Sequence, residues 1–148
     1  MRISAKGRYA LAAMTYMAES YDTGEYIAVI SISERLGISK IYLEQVFSLL
    51  KRGGIVVSVK GAQGGYQLAR MPQQITVFDV LSAVELSLFE PAEETVQIKA
   101  QEIEAAMRFS VFDPIDDAVK NTLEKITLYE LVNEAEKHRA DQGYMYFI

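Results

Sequence analysis

Polar and charged side chains recur at helical spacing between Ser39 and Arg52, directly before a glycine-rich stretch. The apolar residues of this segment follow the i, i+3, i+4, i+7 pattern of a helix with one buried side; they are Leu43, Val46, Phe47 and Leu50. The opposite arc carries Lys40, Ile41, Glu44, Gln45, Ser48, Lys51 and Arg52. Amide and carboxylate groups can read base edges in a DNA major groove, and lysine and arginine can neutralise phosphates. The arc therefore suits DNA recognition, although an ordinary solvated helix face would also be polar.

Residues 55–68 are predicted to form a β-hairpin with a basic entrance. Ile55 to Val59 is rich in β-branched residues, as strands are, and Tyr66 leads a short return strand. The tip holds Gly61, Gly64 and Gly65. Glycine permits tight turns and close backbone approach to a partner, and Lys60 stands at the entrance to the tip. A polar helix followed at once by a basic hairpin is typical of a winged helix-turn-helix, whose helix enters the major groove while the hairpin, or wing, touches the backbone beside it.

Charge is divided unevenly along the chain. The net charge is −5, but residues 1–72 carry nine Lys or Arg against five Asp or Glu, a net of +4, and residues 73–148 carry a net of −9. The basic half coincides with the polar helix and the hairpin, so the overall acidity does not argue against binding to nucleic acid. Chance segregation of charge is the alternative.

The sequence lacks the residues that several kinds of catalytic and metal site require. The sequence has no cysteine, which removes disulfides, thiol nucleophiles and the usual ligands of zinc fingers and iron–sulfur clusters. The single histidine, His138, lies between Lys137 and Arg139, a setting typical of a solvated cation rather than a catalytic base. The sequence has no serine in the G-x-S-x-G pattern of a nucleophile elbow. The glycine-rich stretch matches neither G-x-x-x-x-G-K-[ST] nor G-x-G-x-x-G, the patterns of phosphate-binding loops. We therefore expect neither enzyme activity nor a metal site.

No segment of the sequence suits a membrane. No apolar run reaches the roughly 18 residues that a transmembrane helix needs. Residues 1–6 are not followed by an apolar block of the signal-peptide kind. We expect a cytoplasmic protein.

Capping residues mark the helices around the polar segment. Ser4 should cap a largely apolar first helix that runs to about Ser20. A second helix, at about 29–36, should end at Gly37, and Ser39 should cap the polar helix. The short connection between these two helices is a helix-turn-helix spacing.

Two further helices should open with capping boxes, at Thr76 with Asp79 and at Thr127 with Glu130. The predicted fold is mainly α with a small β-hairpin wing. We expect a winged helix-turn-helix DNA-binding domain at 1–85, a helical dimerisation or regulatory region at 86–140, and a C-terminal tail at 141–148.

The region between the capping boxes is harder to assign. A loop is expected at 87–95, then a helix at about 96–112 with Ala100, Ile103 and Met107 as its apolar stripe. Asp113-Pro114 has the pattern of an N-cap followed by a first helical proline, so the chain either restarts a helix there or kinks. The tail should be extended after a flexible Gly143.

Three segments, in this order, resemble the Rrf2 family of bacterial winged-helix regulators. They are 2–10 (RISAKGRYA), 38–45 (ISKIYLEQ) and 61–66 (GAQGGY), and 126–132 (ITLYELV) is similar to the family's C-terminal signature. The resemblance implies a DNA-binding transcriptional regulator, expected to be a repressor. It also implies a homodimer, joined through helices of the C-terminal half, that binds a pseudo-palindromic operator in double-stranded DNA.

The resemblance assigns roles to single residues. Glu44 and Gln45 match the family's base-reading pair, in which Gln can contact adenine and Glu can accept from cytosine N4. Lys60 matches a basic residue at the base of the wing, and Lys6 and Arg8 match N-terminal positions suited to phosphate contact. The candidate DNA-binding residues are Lys6, Arg8, Ser39, Lys40, Tyr42, Glu44, Gln45, Lys51, Arg52, Lys60, Gly64, Gly65 and Tyr66.

The lack of cysteine separates the chain from the cluster-binding members of the family, which carry cysteines downstream of about residue 90. Glu93 and Glu94, which occur in this region, are hard oxygen ligands unsuited to an iron–sulfur cluster. The chain therefore resembles the cluster-less branch that regulates cysteine metabolism, and no cofactor is expected.

The aromatic tail is similar to the end of that branch. The resemblance implies cysteine synthase as a partner, bound through Tyr144, Tyr146, Phe147 and Ile148. A tail that folds back on its own dimer is the alternative.

Two other functions fit the same residues. One is a winged-helix regulator of another pathway that responds to a small-molecule ligand. The other is a winged helix used only for protein–protein contact, which would show no salt-sensitive DNA binding.

Overall fold

The computed structural model describes residues 2–61 and 64–147 of the chain. Its elements are α1 (Ala5–Glu19), α2 (Val29–Leu36), α3 (Lys40–Arg52), β1 (Val56–Val59), β2 (Gly65–Leu68), α4 (Val77–Val84), α5 (Gln101–Met107), α6 (Asp113–Glu124) and α7 (Leu128–Phe147). The fold is mainly α with a small hairpin, as the sequence predicts. Among the described helices, none is both long enough and apolar enough to cross a bilayer.

The first three helices pack around a common core, and their caps lie where the sequence places them. Ser4 Oγ accepts a hydrogen bond from Gly7 N at 3.2 Å, and Ser39 Oγ accepts one from Tyr42 N at 3.4 Å. Gly37 ends α2 with φ +70°, a left-handed conformation that favours glycine. The buried residues of α1 and α3 include Ala10, Ala13, Met14, Met17, Leu43, Val46, Phe47 and Leu50.

β1 and β2 form the predicted antiparallel hairpin. Val56 pairs with Leu68, and both are buried in the core. Ile27, from the segment before α2, lies against the other edge of β2. Its N–H donates to Tyr66 O and its carbonyl accepts from Tyr66 N, each at 2.8 Å. The base of the wing is therefore held from both sides.

The predicted caps of α4 and α7 are present. Thr76 Oγ1 accepts from Asp79 N, and Asp79 Oδ2 accepts from Thr76 N, each at 3.0 Å, which completes the capping box. At the start of α7, Thr127 Oγ1 accepts from Glu130 N at 3.2 Å.

The beginning of α7 returns to the winged-helix core. Val77 N donates to Ile126 O at 2.8 Å, and Leu128 N donates to Ile75 O at 2.9 Å. Leu128 is fully buried in the same apolar cluster as residues of α1 and α3, and α7 packs along α1. The division of the chain at residue 85 stays a prediction, but the core extends across it.

α5 and α6 form a continuous helix that begins at Gln101, later than the predicted start near residue 96. Residues 108–112 make a π turn, in which Asp113 N donates to Arg108 O. Asp113 has φ −62° and ψ −44°, so it is not an N-cap, and of the two alternatives a restarted helix is wrong. Pro114 lacks an N–H and crowds the carbonyl four residues earlier, and the π turn lies in the segment that this proline disturbs.

The last helix passes through Gly143 and ends at Phe147. The prediction of an extended tail after Gly143 is therefore wrong for residues 144–147, which include Tyr144 and Tyr146. A glycine lowers helix stability by about 1 kcal/mol relative to alanine, which a helix of 20 residues can absorb. Ile148 lies outside the described residues.

Candidate nucleic-acid interface

The predicted polar arc of α3 forms one open face of the protein. α3 packs against α1, α2 and α4 through its apolar stripe, so the opposite side is left to solvent. Ile41 is 71% exposed there. The other exposed residues of α3 and its N-cap are Ser39, Lys40, Glu44, Gln45, Ser48, Lys51 and Arg52. A helix that presents amide, carboxylate and basic groups on one open face suits a major groove.

Lys40 and Glu44 form an ion pair on this face. Nζ and Oε1 lie 3.6 Å apart, and the two side chains are 53% and 54% exposed. An exposed i, i+4 pair contributes only about 0.3–0.5 kcal/mol. The pair can therefore open at little cost when either group meets a base or a phosphate.

Tyr42 lies on the flank of α3 that faces α1. Its ring meets the Tyr9 ring edge to face, with centroids 5.0 Å apart and planes at 84°. Tyr42 is half-buried, and Tyr9 of the first helix is one of the residues that it contacts. Its assignment to the DNA-binding set stays a prediction.

Packing within the hairpin explains two of the wing glycines. A Cβ added at Gly64 would lie 2.4 Å from Val59 O, and one at Gly65 would lie 2.4 Å from Ile27 O. Val59 belongs to β1 and Ile27 is bridged to β2, so displacing either backbone oxygen would disturb the hairpin. Lys60 is exposed at the end of β1, where it can reach a phosphate beside the groove. Residues 62 and 63, at the tip, lie outside the described residues.

Tyr66 connects the wing to α3. Its ring packs on Phe47, with ring centroids 4.6 Å apart, while its backbone pairs with Ile27. Tyr66 is partly buried. The structure therefore places this predicted site residue where it can position the wing.

The N-terminal candidates lie at the start of α1. Arg8 is exposed, and its Nη1 donates to Ile3 O at 2.7 Å, whereas Lys6 is half-buried. Glu85, which sequence reasoning missed, fixes this end of the helix. Its Oε1 accepts from Ser4 N at 2.8 Å and from Ser4 Oγ at 2.5 Å. The two residues are 81 positions apart, so no local pattern marks their contact.

Arg70 is a second residue that the sequence did not single out. Its Nη1 donates to Gly54 O at 3.2 Å, and its Nη2 lies 3.5 Å from Asp79 Oδ2. It thereby ties the turn between α3 and β1 to the beginning of α4. Two basic groups of the N-terminal half, Arg70 and Arg8, thus hold local structure.

The buried side of α5 is not the predicted one. Ile103 is 52% exposed, whereas Glu104 is only 6% exposed. The Glu104 carboxylate accepts from Thr95 N at 3.0 Å and from Val96 N at 3.3 Å. Arg108 Nη2 donates to Ala92 O at 3.3 Å. Together, Glu104 and Arg108 fasten the loop before α5 to the helix.

Comparison with known proteins identifies the family. The Rrf2 family model, described as an iron-dependent transcriptional regulator, matches residues 3–134. The chain belongs to the Rrf2 family. The predicted family and the predicted winged-helix fold are both confirmed.

One protein of similar sequence is named as a helix-turn-helix transcriptional regulator. The HTH-type transcriptional regulator IscR of Cronobacter sakazakii is 48% identical over 88 residues, which are 60% of this chain and 54% of that protein. The match thus spans about half the length of this relative.

Two solved structures of regulators resemble the whole fold. The structure of CymR, the global cysteine regulator of B. subtilis, has a TM-score of 0.71 and 34% identity, and the match covers 90% of this chain and 98% of that one. T. potens IscR has a TM-score of 0.74 and 36% identity, with 99% and 96% covered.

The family description names iron, but the residues of this Rrf2 chain do not fit an iron–sulfur cluster. Such clusters are held mainly by cysteine thiolates, and the sequence contains no cysteine. Across residues 2–61 and 64–147, no group of three or more His, Asp or Glu side chains is placed to hold a metal ion. In the loop before α5, the buried Glu104 carboxylate binds two backbone amides.

Proposed function

We propose that this Rrf2 chain is a sequence-specific, DNA-binding transcriptional regulator. The observation that carries the proposal is the attachment of the wing to the buried side of α3 through Phe47 and Tyr66. This attachment holds the exposed arc of α3 and the basic wing residue Lys60 in one arrangement, as a major-groove helix with a flanking backbone contact requires. The IscR relative, named as an HTH-type transcriptional regulator, supports the same function.

Selection from a pool of random double-stranded DNA tests this proposal. The purified protein should enrich a pseudo-palindromic sequence. Its affinity for that sequence should fall steeply with salt, because basic residues release counterions from the phosphates. A protein that enriches no sequence and shows no salt-sensitive binding would instead be a winged helix used for protein contacts.

We further propose that the protein acts as a homodimer joined through α5 and α6. Large apolar side chains are exposed on this helix, and nothing in the described part of the chain covers them. They are Ile103 (52%), Phe109 (82%), Val111 (45%) and Ile115 (56%). Large apolar side chains left exposed mark interaction sites, and a twofold axis would bury the same side chains on both copies. Such a dimer would present its two α3 helices to half-sites about 34 Å apart.

Light scattering coupled to size-exclusion chromatography tests the dimer. Phe109→Asp should shift the protein towards the monomer, because it places a charge in the proposed interface. Ser31→Asp adds the same charge at an exposed position of α2, outside the proposed interface, and serves as the control. A dimer that Phe109→Asp leaves intact would exclude this face.

We propose repression of genes of cysteine or sulfur metabolism, without an iron–sulfur cluster, as the regulatory role. The complete lack of cysteine and the similarity to CymR, the global cysteine regulator of B. subtilis, support it. The comparable identity to T. potens IscR supports regulation of a different pathway. Transcript profiles of a deletion strain, grown with scarce and with abundant cysteine, distinguish the two. Anaerobically prepared protein should contain no stoichiometric iron or acid-labile sulfide.

Cysteine synthase as a partner of residues 144–148 stays a prediction. Deleting Tyr146–Ile148 should abolish capture of the synthase by the immobilised protein and leave DNA binding unchanged. Capture that survives the deletion, or loss of the dimer, would assign these residues to the structure of the protein itself.

A further inference from the structure

Ile41 is an aliphatic side chain presented to solvent on the face proposed to meet DNA. It is 71% exposed, compared with 46% for Ile30 on α2 and 42% and 44% for Val57 and Val59 on the wing. The core stripe of α3 is complete without Ile41, since all four of its residues are fully buried. Packing within the described chain therefore gives no reason for isoleucine at this position.

The position of Ile41 on α3 gives it access to base edges. It is the second residue after the Ser39 N-cap and lies one helical turn before Gln45, on the same side of the helix. Helix-turn-helix proteins place the N-terminal residues of this helix against the bases. A β-branched side chain in a helix has essentially one χ1 rotamer, so the direction of the two γ-carbons of Ile41 is fixed.

The chemistry of the major groove limits what Ile41 can recognise. Among the standard bases, the apolar group on that edge is the thymine C5-methyl. An isoleucine placed against polar base edges would strip them of water without replacing their hydrogen bonds. Contact with a methyl group, in contrast, removes apolar surface from water on both sides.

We infer that Ile41 selects thymine through its C5-methyl group, beside an adenine read by the Gln45 amide. Each half-site of the operator would then contain a thymine whose methyl faces the first turn of α3. This inference rests on the proposed function, because it names the class of sequence that the same helix recognises. It makes Ile41 a determinant of specificity and leaves affinity for random DNA largely to the basic residues.

Deoxyuridine substitution isolates the methyl group. After the preferred sequence has been selected from random DNA, each thymine of one half-site is replaced in turn by deoxyuridine, which changes no hydrogen-bonding group. At one of these positions, the replacement should lower the affinity of the wild-type protein about fourfold, which is the effect of one buried methyl group. The Ile41→Ala protein should bind the thymine and the uracil duplex equally well.

A second duplex restores the methyl group on a different base. At the same position, the affinity of the wild type for a 5-methylcytosine·guanine pair should exceed that for a cytosine·guanine pair, and the Ile41→Ala protein should not distinguish them. Ile30→Ala truncates an exposed isoleucine on the neighbouring helix and should keep the full dependence on the methyl group. Thermal unfolding of both variants should match the wild type, because neither side chain is in the core.

The outcomes separate the inference from the proposed function. A selected operator at which no thymine methyl distinguishes wild type from Ile41→Ala overturns the role of Ile41 and leaves sequence-specific binding in place. A dependence that persists in Ile41→Ala and vanishes in Ile30→Ala also overturns it. Failure to select any sequence overturns both the inference and the proposed function.

Discussion

The rings of Phe47 and Tyr66 lie 4.6 Å apart and are tilted by 38°, so the buried side of α3 carries the wing. Phe47 is fully buried, and Tyr66 is also held through its backbone by Ile27. Aromatic pairs of this kind contribute about 0.5–1.5 kcal/mol beyond the area they bury. Because Phe47 belongs to α3 and Tyr66 belongs to the wing, their contact joins the two elements. The wing and the exposed arc of α3 are therefore expected to move as a unit.

Tyr66→Ala and Tyr66→Phe test whether Tyr66 positions the wing. Loss of the ring should lower the free energy of unfolding by about 3 kcal/mol and weaken binding to all DNA sequences. Tyr66→Phe keeps the ring and should retain both properties. Urea unfolding and fluorescence anisotropy measure the two effects. If Tyr66→Phe bound DNA as poorly as Tyr66→Ala, the hydroxyl group would itself contact the DNA.

Lys60→Ala and Gln45→Ala should have different signatures. Removing Lys60 should weaken binding to every sequence and reduce the log–log dependence on salt by about one unit, because one phosphate contact is lost. Removing the Gln45 amide should cost about 1–3 kcal/mol on the selected operator and little on random DNA. Anisotropy titrations at several salt concentrations separate these effects. Equal losses on both DNAs for both variants would refute the assigned roles.

Gly65→Ala should disrupt the contact between β2 and Ile27. The added Cβ would lie 2.4 Å from Ile27 O, so β2 must move away and the bridge between Ile27 and Tyr66 must stretch. We expect a loss of about 1–3 kcal/mol in unfolding free energy, together with weaker DNA binding. Gly143→Ala is the control, because it adds the same atom in α7 where no atom lies within 4 Å. It should raise stability by about 0.5–1 kcal/mol.

Glu104→Ala should loosen the loop before α5. The amides of Thr95 and Val96 would lose their acceptor, so their hydrogen exchange should accelerate, and the free energy of unfolding should fall by about 1–3 kcal/mol. Glu102→Ala removes an exposed carboxylate from the same helix and should change neither quantity. Unchanged exchange at both amides in Glu104→Ala would show that the loop is held by other contacts.

The parts of the fold that depend on near neighbours could be predicted from the sequence. The Ser4, Ser39 and Thr76 caps act over three residues, and the core stripe of α3 is a periodic pattern. The contacts that were missed join distant parts of the chain. Glu85 meets Ser4 across 81 positions. The burial of Glu104 depends on a loop whose path has no sequence signature.

Two predictions were wrong because a local signal was overruled. Asp113-Pro114 has the pattern of a helix start, but the helix continues through both residues, with a π turn directly before them. Gly143 suggests a hinge, but α7 continues beyond it to Phe147. For the candidate interface, the sequence indicated the exposed face of α3. The role of Tyr66 in holding the wing became visible only through its contacts with Phe47 and Ile27.

The π turn at 108–112 affects how the length of this helix can change. In a regular α-helix, one inserted residue turns everything that follows by about 100°. A π turn holds one residue more than an α turn, so it confines such an insertion to one place. Ile103 on one side and Ile115 on the other can therefore keep a common direction while the segment between them gains or loses a residue. Chain length could vary here between related proteins without rotating the two ends of the helix relative to each other.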